Sequence, residues 1–306
     1  MAEEDMIDCL IVGGGPAGLT AAIYLARYHL RICLIDAGDG RCAMIPRTHN
    51  HAGFPGGIPG RELLARMRAQ AAEFSVRIID ATVDRLERNG EMFAVKIGDD
   101  VKTARAVLLA TGVVNHRPPI DDAVHDEALE RGLLRYCPVC DGYEVTDKRI
   151  GVIGTGDHGA REALFLRGFT RDVTLIAPDA EHVIPGKERA ILEEAGVVIA
   201  DGPCDPLRID GEKLVVSTPH RDLAFDSVYP ALGSRIRSRL AQMVEAKMSE
   251  DGCLVVDEHQ RTSVRGLYAA GDVVKGLDQI SNAMGQAGVA ATTIRNDLAE
   301  ERPVLR

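Results

Sequence analysis

Two cysteines separated by two residues, Cys137 and Cys140, form the clearest chemical pattern in this sequence, and Asp141 follows directly. Cysteines at this spacing can close a small disulfide ring that stores two electrons when reduced. The spacing also lowers the pKa of one thiol, so that a thiolate is present near neutral pH. The carboxyl group of Asp141 can give a proton to a leaving thiolate. The stretch therefore predicts a redox-active pair.

A zinc site is the main alternative for two cysteines at this spacing, because zinc is usually held by four cysteine or histidine ligands. The sequence offers no second pair of such residues nearby at ligand spacing, so we predict no metal. Five other cysteines, at positions 9, 33, 42, 204 and 253, have no partner at a useful spacing. Cys9 and Cys33 lie in apolar runs, which is typical of cysteines in a buried core.

The start of the chain carries a dinucleotide-binding fingerprint. A short apolar run at residues 7–12 predicts a buried strand, a glycine-rich turn follows, and residues 19–28 predict a helix. Gly13 permits the tight turn, Gly15 lets the backbone approach a pyrophosphate, and Gly18 lets the helix pack close to the strand. Asp36 ends the next strand, where a carboxylate can accept hydrogen bonds from a ribose hydroxyl.

The following segments predict the rest of this first unit. A turn-rich loop at residues 48–60 precedes a helix at 61–74, and strands at 77–81 and 93–98 suggest a small antiparallel sheet. The buried strand at 106–112 should return to the first sheet beside the cofactor. Residues 113–120 contain two prolines and lack periodicity, so we expect a domain boundary there.

A second unit of the same type follows the cysteine pair, so the chain is predicted to be an α/β protein with two nucleotide-binding, Rossmann-like folds. Its turn contains Gly154, Gly156 and Gly159, between a strand and a helix, and a strand at 172–176 comes next. That strand ends in Ala-Pro-Asp at residues 177–179, with neither an acid in the place of Asp36 nor arginines for a 2′-phosphate. The glycines favour a nucleotide site, whereas the end of the strand argues against one. A working nicotinamide site and a retained fold without its ligand therefore both stay open.

Three segments near the end of the chain complete the pattern. Residues 223–233 predict the return strand of the second unit, and a strand leading to Gly271 and Asp272 can place its carboxylate near a ribityl chain. The last helix, at residues 278–298, begins near Gln279. The positive end of its dipole could stabilise an anionic reduced flavin.

The composition narrows the class of protein. The 306 residues suffice for two domains, and the net charge of −10 argues against nucleic acid or an anionic membrane as a partner. No apolar run reaches the roughly 18 residues of a membrane span. Residues 1–5 are acidic where a signal peptide would be basic, so we expect a cytoplasmic protein.

The order of these motifs resembles that of the low-molecular-weight bacterial thioredoxin reductases, over nearly the whole chain. The matching motifs are Gly-Gly-Gly-Pro-Ala-Gly at 13–18, Ala-Thr-Gly at 110–112, Cys-x-x-Cys-Asp-Gly at 137–142, Gly-x-Gly at 154–156, Gly-Asp-Val at 271–273 and Gln-Ile-Ser with Gly-Gln-Ala at 279–287. The resemblance implies a discontinuous FAD domain, at residues 1–113 and 245–306, with a second domain at 118–240 inserted and carrying the disulfide. It also implies a homodimer, and a domain rotation that shows the dithiol alternately to flavin and to thioredoxin.

The resemblance also implies roles for single residues. The implied FAD contacts are Gly13, Gly15, Pro16 and Ala17 at the pyrophosphate, Asp36 at the adenosine ribose, Val83 at the adenine, Asn50, Thr111 and Gly112 beside the cofactor, Gly271 and Asp272 at the ribityl chain, and Gln279 and Ile280 at the isoalloxazine. Cys140 would be the thiol next to the flavin, Cys137 the thiol that exchanges with substrate, and Asp141 the acid.

Three departures from the family pattern lie where the family is expected to bind the nicotinamide cofactor. The family's His-Arg-Arg, which selects NADPH, is Ala-Pro-Asp at 177–179; the basic residue before the glutamine is Asp278; and Gly-His-Ser-Pro-Asn is Gly-Ser-Arg-Ile-Arg at 233–237. We expect none of these changes to touch FAD or the disulfide. They argue against NAD(P)H as donor and resemble branches that take electrons from another source, such as ferredoxin.

Two enzymatic hypotheses follow. In the first, a flavoenzyme passes electrons through Cys140 and Cys137 to the disulfide of thioredoxin or another small protein. In the second, electrons run from a substrate dithiol through the same pair and FAD to oxygen, as in a dithiol oxidase. The FAD fingerprint argues against a third possibility, a redox sensor without catalytic activity.

Overall fold

The computed structural model of the chain describes residues 6–301, which form four sheets with helices packed against them. The expectation about a signal peptide rests on residues 1–5, which lie outside the described residues. The first part of the chain contains, in order, β1 (Ile7–Val12), α1 (Pro16–Arg27), β2 (Ile32–Asp36), α2 (Gly60–Glu73), β3 (Arg77–Asp80), β4 (Arg85–Asn89), β5 (Met92–Ile97) and β6 (Asp100–Leu109).

The first sheet has the strand order β3-β2-β1-β6-β5-β4, and β1 pairs in parallel with both β2 and β6. Successive side chains of β1 enter opposite cores: Cys9 and Ile11 pack on one face, and Leu10 and Val12 pack on the other. A strand buried on both faces needs an apolar residue at every position, since helices or loops cover the sheet on each side. The predicted buried strand at the start of the chain is therefore confirmed.

One prediction about this sheet was wrong. The strand at residues 77–81 was expected in an antiparallel sheet, but β3 pairs in parallel with β2, with Asp80 opposite Asp36. Helix α2 crosses over the sheet between these two strands and returns the chain in its original direction, as a parallel connection requires. The antiparallel prediction holds for β5, which pairs with β4 and β6.

The middle of the chain forms the second unit. Its elements are β7 (Val113–Asn115), α3 (Asp122–Glu130), α4 (Pro138–Asp141), β8 (Ile150–Ile153), α5 (Gly156–Leu166), β9 (Val173–Ile176), α6 (Gly186–Glu194), β10 (Val198–Ala200), β11 (Leu207–Asp210), β12 (Lys213–Ser217), β13 (Asp222–Phe225), β14 (Ser227–Pro230), β15 (Ser234–Ile236) and α7 (Arg239–Met243). A parallel sheet has the order β10-β9-β8-β14, and β11, β12 and β13 form a separate antiparallel sheet. The return strand predicted at residues 223–233 is thus two strands, because β13 pairs with β12 while β14 pairs with β8.

The chain leaves the first sheet after β6 and later returns to it. Strands β7 and β15 pair with each other, so residues 113–115, expected to lack regular structure, are a short strand. The final elements are β16 (Leu267–Ala269), which pairs in parallel with β6, and α8 (Ile280–Glu301), which packs against α1. The domain limits at residues 113, 118, 240 and 245 stay a prediction. No helix within residues 6–301 has both the length and the apolar composition needed to cross a bilayer.

Candidate active site

The turn before α1 leaves open space at the start of the helix. A methyl group added at Gly13 would lie 2.3 Å from the Ala110 carbonyl oxygen, and one at Gly18 would lie 1.8 Å from the Gly13 oxygen, so both glycines allow close packing. A methyl group at Gly15 would meet no atom of residues 6–301 within 4 Å. Within the same residues, no side chain caps the helix and no acid lies in its first turn. Its free N–H groups therefore fit a pyrophosphate.

A cavity of about 590 Å³ extends from this helix start, and its size is typical of sites for small molecules and cofactors. Every residue that the sequence predicted at FAD lines it: Gly13, Gly15, Pro16, Ala17, Asp36, Asn50, Val83, Thr111, Gly112, Gly271, Asp272, Gln279 and Ile280. The predicted catalytic residues Cys137, Cys140 and Asp141 line the same cavity. The fold thus brings together residues from the two ends and the middle of the chain. The polar groups that line the cavity fit FAD. The contact assigned to each residue stays a prediction.

Asp36 is held in place at the end of β2. Its carboxylate accepts a hydrogen bond from the Gly14 N–H at 3.0 Å and contacts the guanidinium of Arg68 on α2. The side chain of Asp36 is largely buried, and Arg68 supplies a charge that keeps a carboxylate acceptable there. The sequence analysis missed Arg68, because a single arginine on an amphipathic helix belongs to no motif.

The two cysteines form a disulfide that contacts the N-terminal side of α8. Cys137 precedes α4, and its sulfur accepts the N–H of Cys140 at 3.2 Å. The Gln279 amide donates from Nε2 to the sulfurs of Cys137 and Cys140, at 3.4 and 3.2 Å. Asn50 donates to the Gln279 Oε1 atom at 2.9 Å, which orients that amide. Donors aimed at sulfur favour a thiolate once the disulfide is reduced.

Asp141 lies between two partners that the sequence analysis missed. Arg135 donates to its Oδ2 atom at 2.9 Å, and the buried hydroxyl of Tyr229 on β14 donates to its Oδ1 atom at 2.9 Å. Burial raises the pKa of the Asp141 carboxyl above its ordinary value, and Arg135 and Tyr229 act in the opposite direction. Arg135 is close to the cysteines in sequence, but Tyr229 gave no signal because it reaches the site from a distant strand.

The first and third glycines of the second unit pack as tightly as those of the first unit. The middle glycine differs, because another atom lies near it. Methyl groups added at Gly154 and Gly159 would lie 2.9 Å from Ala231 and 2.7 Å from the Gly154 carbonyl carbon. One added at Gly156 would lie 3.7 Å from the Val183 carbonyl oxygen. None of these three glycines is among the described residues that line the large cavity.

Residues 178–185, here called the covering segment, hold that carbonyl oxygen at the start of α5. The Val183 N–H donates to the Thr155 hydroxyl at 2.9 Å. His182 donates from Nε2 to the carbonyl oxygens of Ala200 and Leu175, at 2.8 and 3.2 Å, so it ties the segment to β10 and β9. Burial lowers the pKa of His182, which keeps the ring neutral at neutral pH. The covering segment therefore lies beside the start of α5, and the second nucleotide site stays a prediction.

Two of the three departures from the family pattern also line the large cavity. They are Asp278 and residues 235–237, and the expectation that they affect the nicotinamide side without touching FAD stays a prediction. Arg41 donates to Asp278 at 2.8 Å and to Asp272 at 3.3 Å. Asp272 and Asp278 follow Arg41 by more than 200 residues, so no local motif links them to it.

Gln286 is a further residue that the sequence analysis quoted only as part of a motif. Its Oε1 atom accepts the Gly271 N–H at 2.8 Å, so α8 fixes the turn that carries Asp272. Within residues 6–301, no group of three or more His, Cys, Asp or Glu side chains is arranged to hold a metal ion.

Comparisons with known proteins agree with this geometry. A family model described as pyridine nucleotide-disulphide oxidoreductase matches residues 7–287. The chain is 30% identical to a thioredoxin reductase of Listeria innocua, over 99% of this chain and 98% of the relative, and 32% identical to one of Mycolicibacterium smegmatis, over 98% and 99%. The crystal structure of thioredoxin reductase from Streptococcus pyogenes MGAS5005 superposes with a TM-score of 0.88 at 27% identity, covering 97% of this chain and 99% of that one.

Proposed function

This chain belongs to the pyridine nucleotide-disulphide oxidoreductase family, among the thioredoxin reductases, and we propose that it reduces a small protein disulfide, such as that of thioredoxin, with electrons that do not come from NADPH. It is an FAD-dependent disulfide oxidoreductase. The proposal therefore concerns the substrate, the electron donor and the roles of single residues.

The cavity residues are proposed to hold FAD along its length. Gly15 and the start of α1 face the pyrophosphate, Asp36 the adenosine ribose, Asp272 the ribityl chain, and Gln279 the ring system. Bound FAD supplies reversible two-electron chemistry beside the disulfide. Gln279 supports this arrangement, because its amide contacts both sulfurs and also lines the cavity.

The cysteine pair is proposed to exchange electrons with substrate in two steps. The Cys137 thiolate attacks one sulfur of the substrate disulfide, which forms a mixed disulfide and releases the other sulfur as a thiolate. The Cys140 thiolate then attacks Cys137, which re-forms the Cys137–Cys140 disulfide and releases the substrate as a dithiol. Asp141 is proposed to handle the protons of these steps, since its burial favours the protonated carboxyl.

The covering segment is the observation that supports a donor other than NADPH. It puts the Val183 carbonyl oxygen beside Gly156, where the first unit has open space at Gly15. A carbonyl oxygen repels a phosphate, and the acid Asp179 stands where an arginine would take a 2′-phosphate. A small electron-carrying protein such as ferredoxin needs no nucleotide site. It is our proposed class of donor, acting on a homodimer.

An anaerobic titration of the purified flavoprotein tests the donor. We expect NADPH and NADH to leave the flavin absorption unchanged, and reduced ferredoxin to bleach it. Rapid bleaching by micromolar NADPH would refute the donor proposal while leaving the family assignment intact. A folded protein that purifies without yellow colour would refute the placement of FAD.

A second titration tests the direction of electron flow. A reduced dithiol is added without oxygen, and oxygen is then admitted. Slow reoxidation of the flavin is expected of a reductase. Fast reoxidation with many turnovers would instead assign the dithiol oxidase activity that the sequence left open.

The Cys140→Ser variant tests the route. We expect it to keep FAD and to lose thioredoxin reduction, because the mixed disulfide on Cys137 is no longer resolved. Cys253→Ser is the matched control, since Cys253 is half-buried and forms no disulfide. Continued thioredoxin reduction by Cys140→Ser would remove the pair from the mechanism.

A further inference from the structure

Arg41 lies in the cofactor cavity between two carboxylates. It begins a short helical turn, Arg41–Met44, after β2, and its Nη1 atom is 2.8 Å from Asp278 and 3.3 Å from Asp272. Asp272 follows β16 and Asp278 precedes α8, so one guanidinium joins three separate parts of the cavity wall. The side chains of Arg41, Asp272 and Asp278 are 24, 20 and 37% exposed, which places the group at the edge of the interior.

The charges of this group are unequal, because one cation faces two anions. Burial raises the pKa of the Asp272 carboxyl, Asp278 raises it further, and Arg41 opposes both effects. Without Arg41, the two carboxylates would repel each other in a partly dry cavity, so Asp272 would take up a proton or turn away. The position of Asp272 therefore depends on a residue that no motif links to it.

We propose that Arg41 is a cofactor-positioning residue, which holds the Asp272 carboxylate toward the hydroxyl-bearing chain of FAD by neutralising Asp278. The Nη1 atom of Arg41 contacts both carboxylates, so one positive group lies between Asp272 and Asp278. The inference rests on the proposed placement of FAD in this cavity, but not on the electron donor or the direction of flow.

The test measures how fast FAD leaves the purified holoenzyme, from the rise of flavin fluorescence after dilution. Arg41→Gln is expected to release FAD about tenfold faster, because the Asp278 carboxylate is then no longer neutralised and repels Asp272. Arg41→Lys, which keeps the charge, should stay within about threefold of the unmodified protein. Arg66→Gln is the control, because Arg66 pairs with Glu62 on the exposed face of α2.

A double variant separates positioning from direct contact. Asp278→Asn alone should release FAD within about threefold of the unmodified rate, because Arg41 still holds Asp272. In Arg41→Gln with Asp278→Asn, the repelling carboxylate is gone, and the rate should recover to within about threefold as well. An Arg41→Gln variant that releases FAD at the unmodified rate would overturn the inference. So would a double variant as fast as Arg41→Gln. An unmodified protein that binds no FAD would instead refute the proposed function.

Discussion

The starts of α1 and α5 have the same glycine spacing, yet they present different surfaces to a ligand. In both units the first and third glycines allow backbone contacts that a side chain would prevent. The difference lies at the middle glycine: Gly15 faces open space, and Gly156 faces the carbonyl oxygen of Val183. A glycine pattern therefore specifies the turn and the close packing of strand and helix, but whether a phosphate can approach depends on the segment that passes in front.

The helices behind these turns also differ. Ala21 of α1 is completely buried, and the equivalent position of α5 is Glu162, whose Oε1 atom is buried without a hydrogen-bond partner among residues 6–301. Burial raises the pKa of the Glu162 carboxyl to about 7. An extra carboxylate in the second unit is a further feature unfavourable to a phosphate ligand when it is ionised.

The second unit differs from the first in a further way, because it packs against the turn that carries the disulfide. Tyr229 of its sheet donates to Asp141, and a methyl group at Gly142 would lie 2.6 Å from the ring of Phe169, which follows α5. The redox turn is thus packed directly against this unit. The comparison shows that the second unit packs against the disulfide turn, whereas the first unit lines the large cavity.

The largest expected effect is the loss of FAD from Gly15→Val. The new side chain would enter the open space at the start of α1 and block the pyrophosphate, while the extended backbone there accommodates valine. The ratio of flavin to protein absorbance should fall to nearly zero, with an unchanged circular dichroism spectrum. Gly156→Ala should keep its FAD, although its left-handed backbone costs about 1 kcal/mol of stability. Equal FAD contents in the two variants would contradict the proposed difference between Gly15 and Gly156.

A second effect concerns stability against pH and sharpens the difference between Ala21 and Glu162. The pKa of Glu162 is raised from 4.5 to about 7 in the fold, so the folded state binds this proton more tightly than the unfolded chain. The free energy of unfolding should therefore fall as pH rises from 4.5 to 7, by on the order of 3 kcal/mol.

Denaturant titrations at several pH values measure this slope, and Glu162→Gln should remove it. Glu194→Gln, on the exposed side of α6, is the control and should leave the slope unchanged. A slope that persists in Glu162→Gln would contradict the assignment of this pH dependence to the buried Glu162 carboxyl, whose Oε2 atom lies 3.7 Å from His158 Nε2.

The smallest expected effect is a shift in pH dependence caused by Tyr229→Phe. Loss of the hydroxyl removes a donor to the Asp141 carboxylate, so the pKa of Asp141 should rise further. The limb of the pH profile for disulfide exchange that reports Asp141 should move to higher pH.

Tyr268→Phe is the matched control for this shift, because Tyr268 makes a similar buried hydrogen bond to Asp297 in the first unit. Both variants should lose comparable stability, and only Tyr229→Phe should move the profile. If the pH profile of Tyr229→Phe does not shift, the second unit supports the disulfide without changing the pKa of Asp141.

Local patterns predicted a large part of the fold and of the site. The buried strands, the two glycine turns and the redox cysteines follow from the spacing of neighbouring residues, and most residues expected at FAD follow from the family resemblance. Such spacing acts through the backbone: a turn needs glycine where a Cβ would clash, and a buried parallel strand needs continuous apolar residues. These constraints can be read without knowing what lies across the sheet. The direction of β3 could not, because only the path of α2 decides it.

The long-range interactions around the site were decided by the tertiary structure. Arg41 meets Asp278, Tyr229 meets Asp141, and the Val183 carbonyl oxygen reaches Gly156 only after the sheets and helices have packed. The effect of each charge depends on burial and on the nearest opposite charge, and neither quantity is a property of the residue's own segment. The sequence by itself therefore determined an α/β chain with two nucleotide-type turns and a redox pair. The packing decided which residues face Gly15 and Gly156 and which charges surround the redox pair.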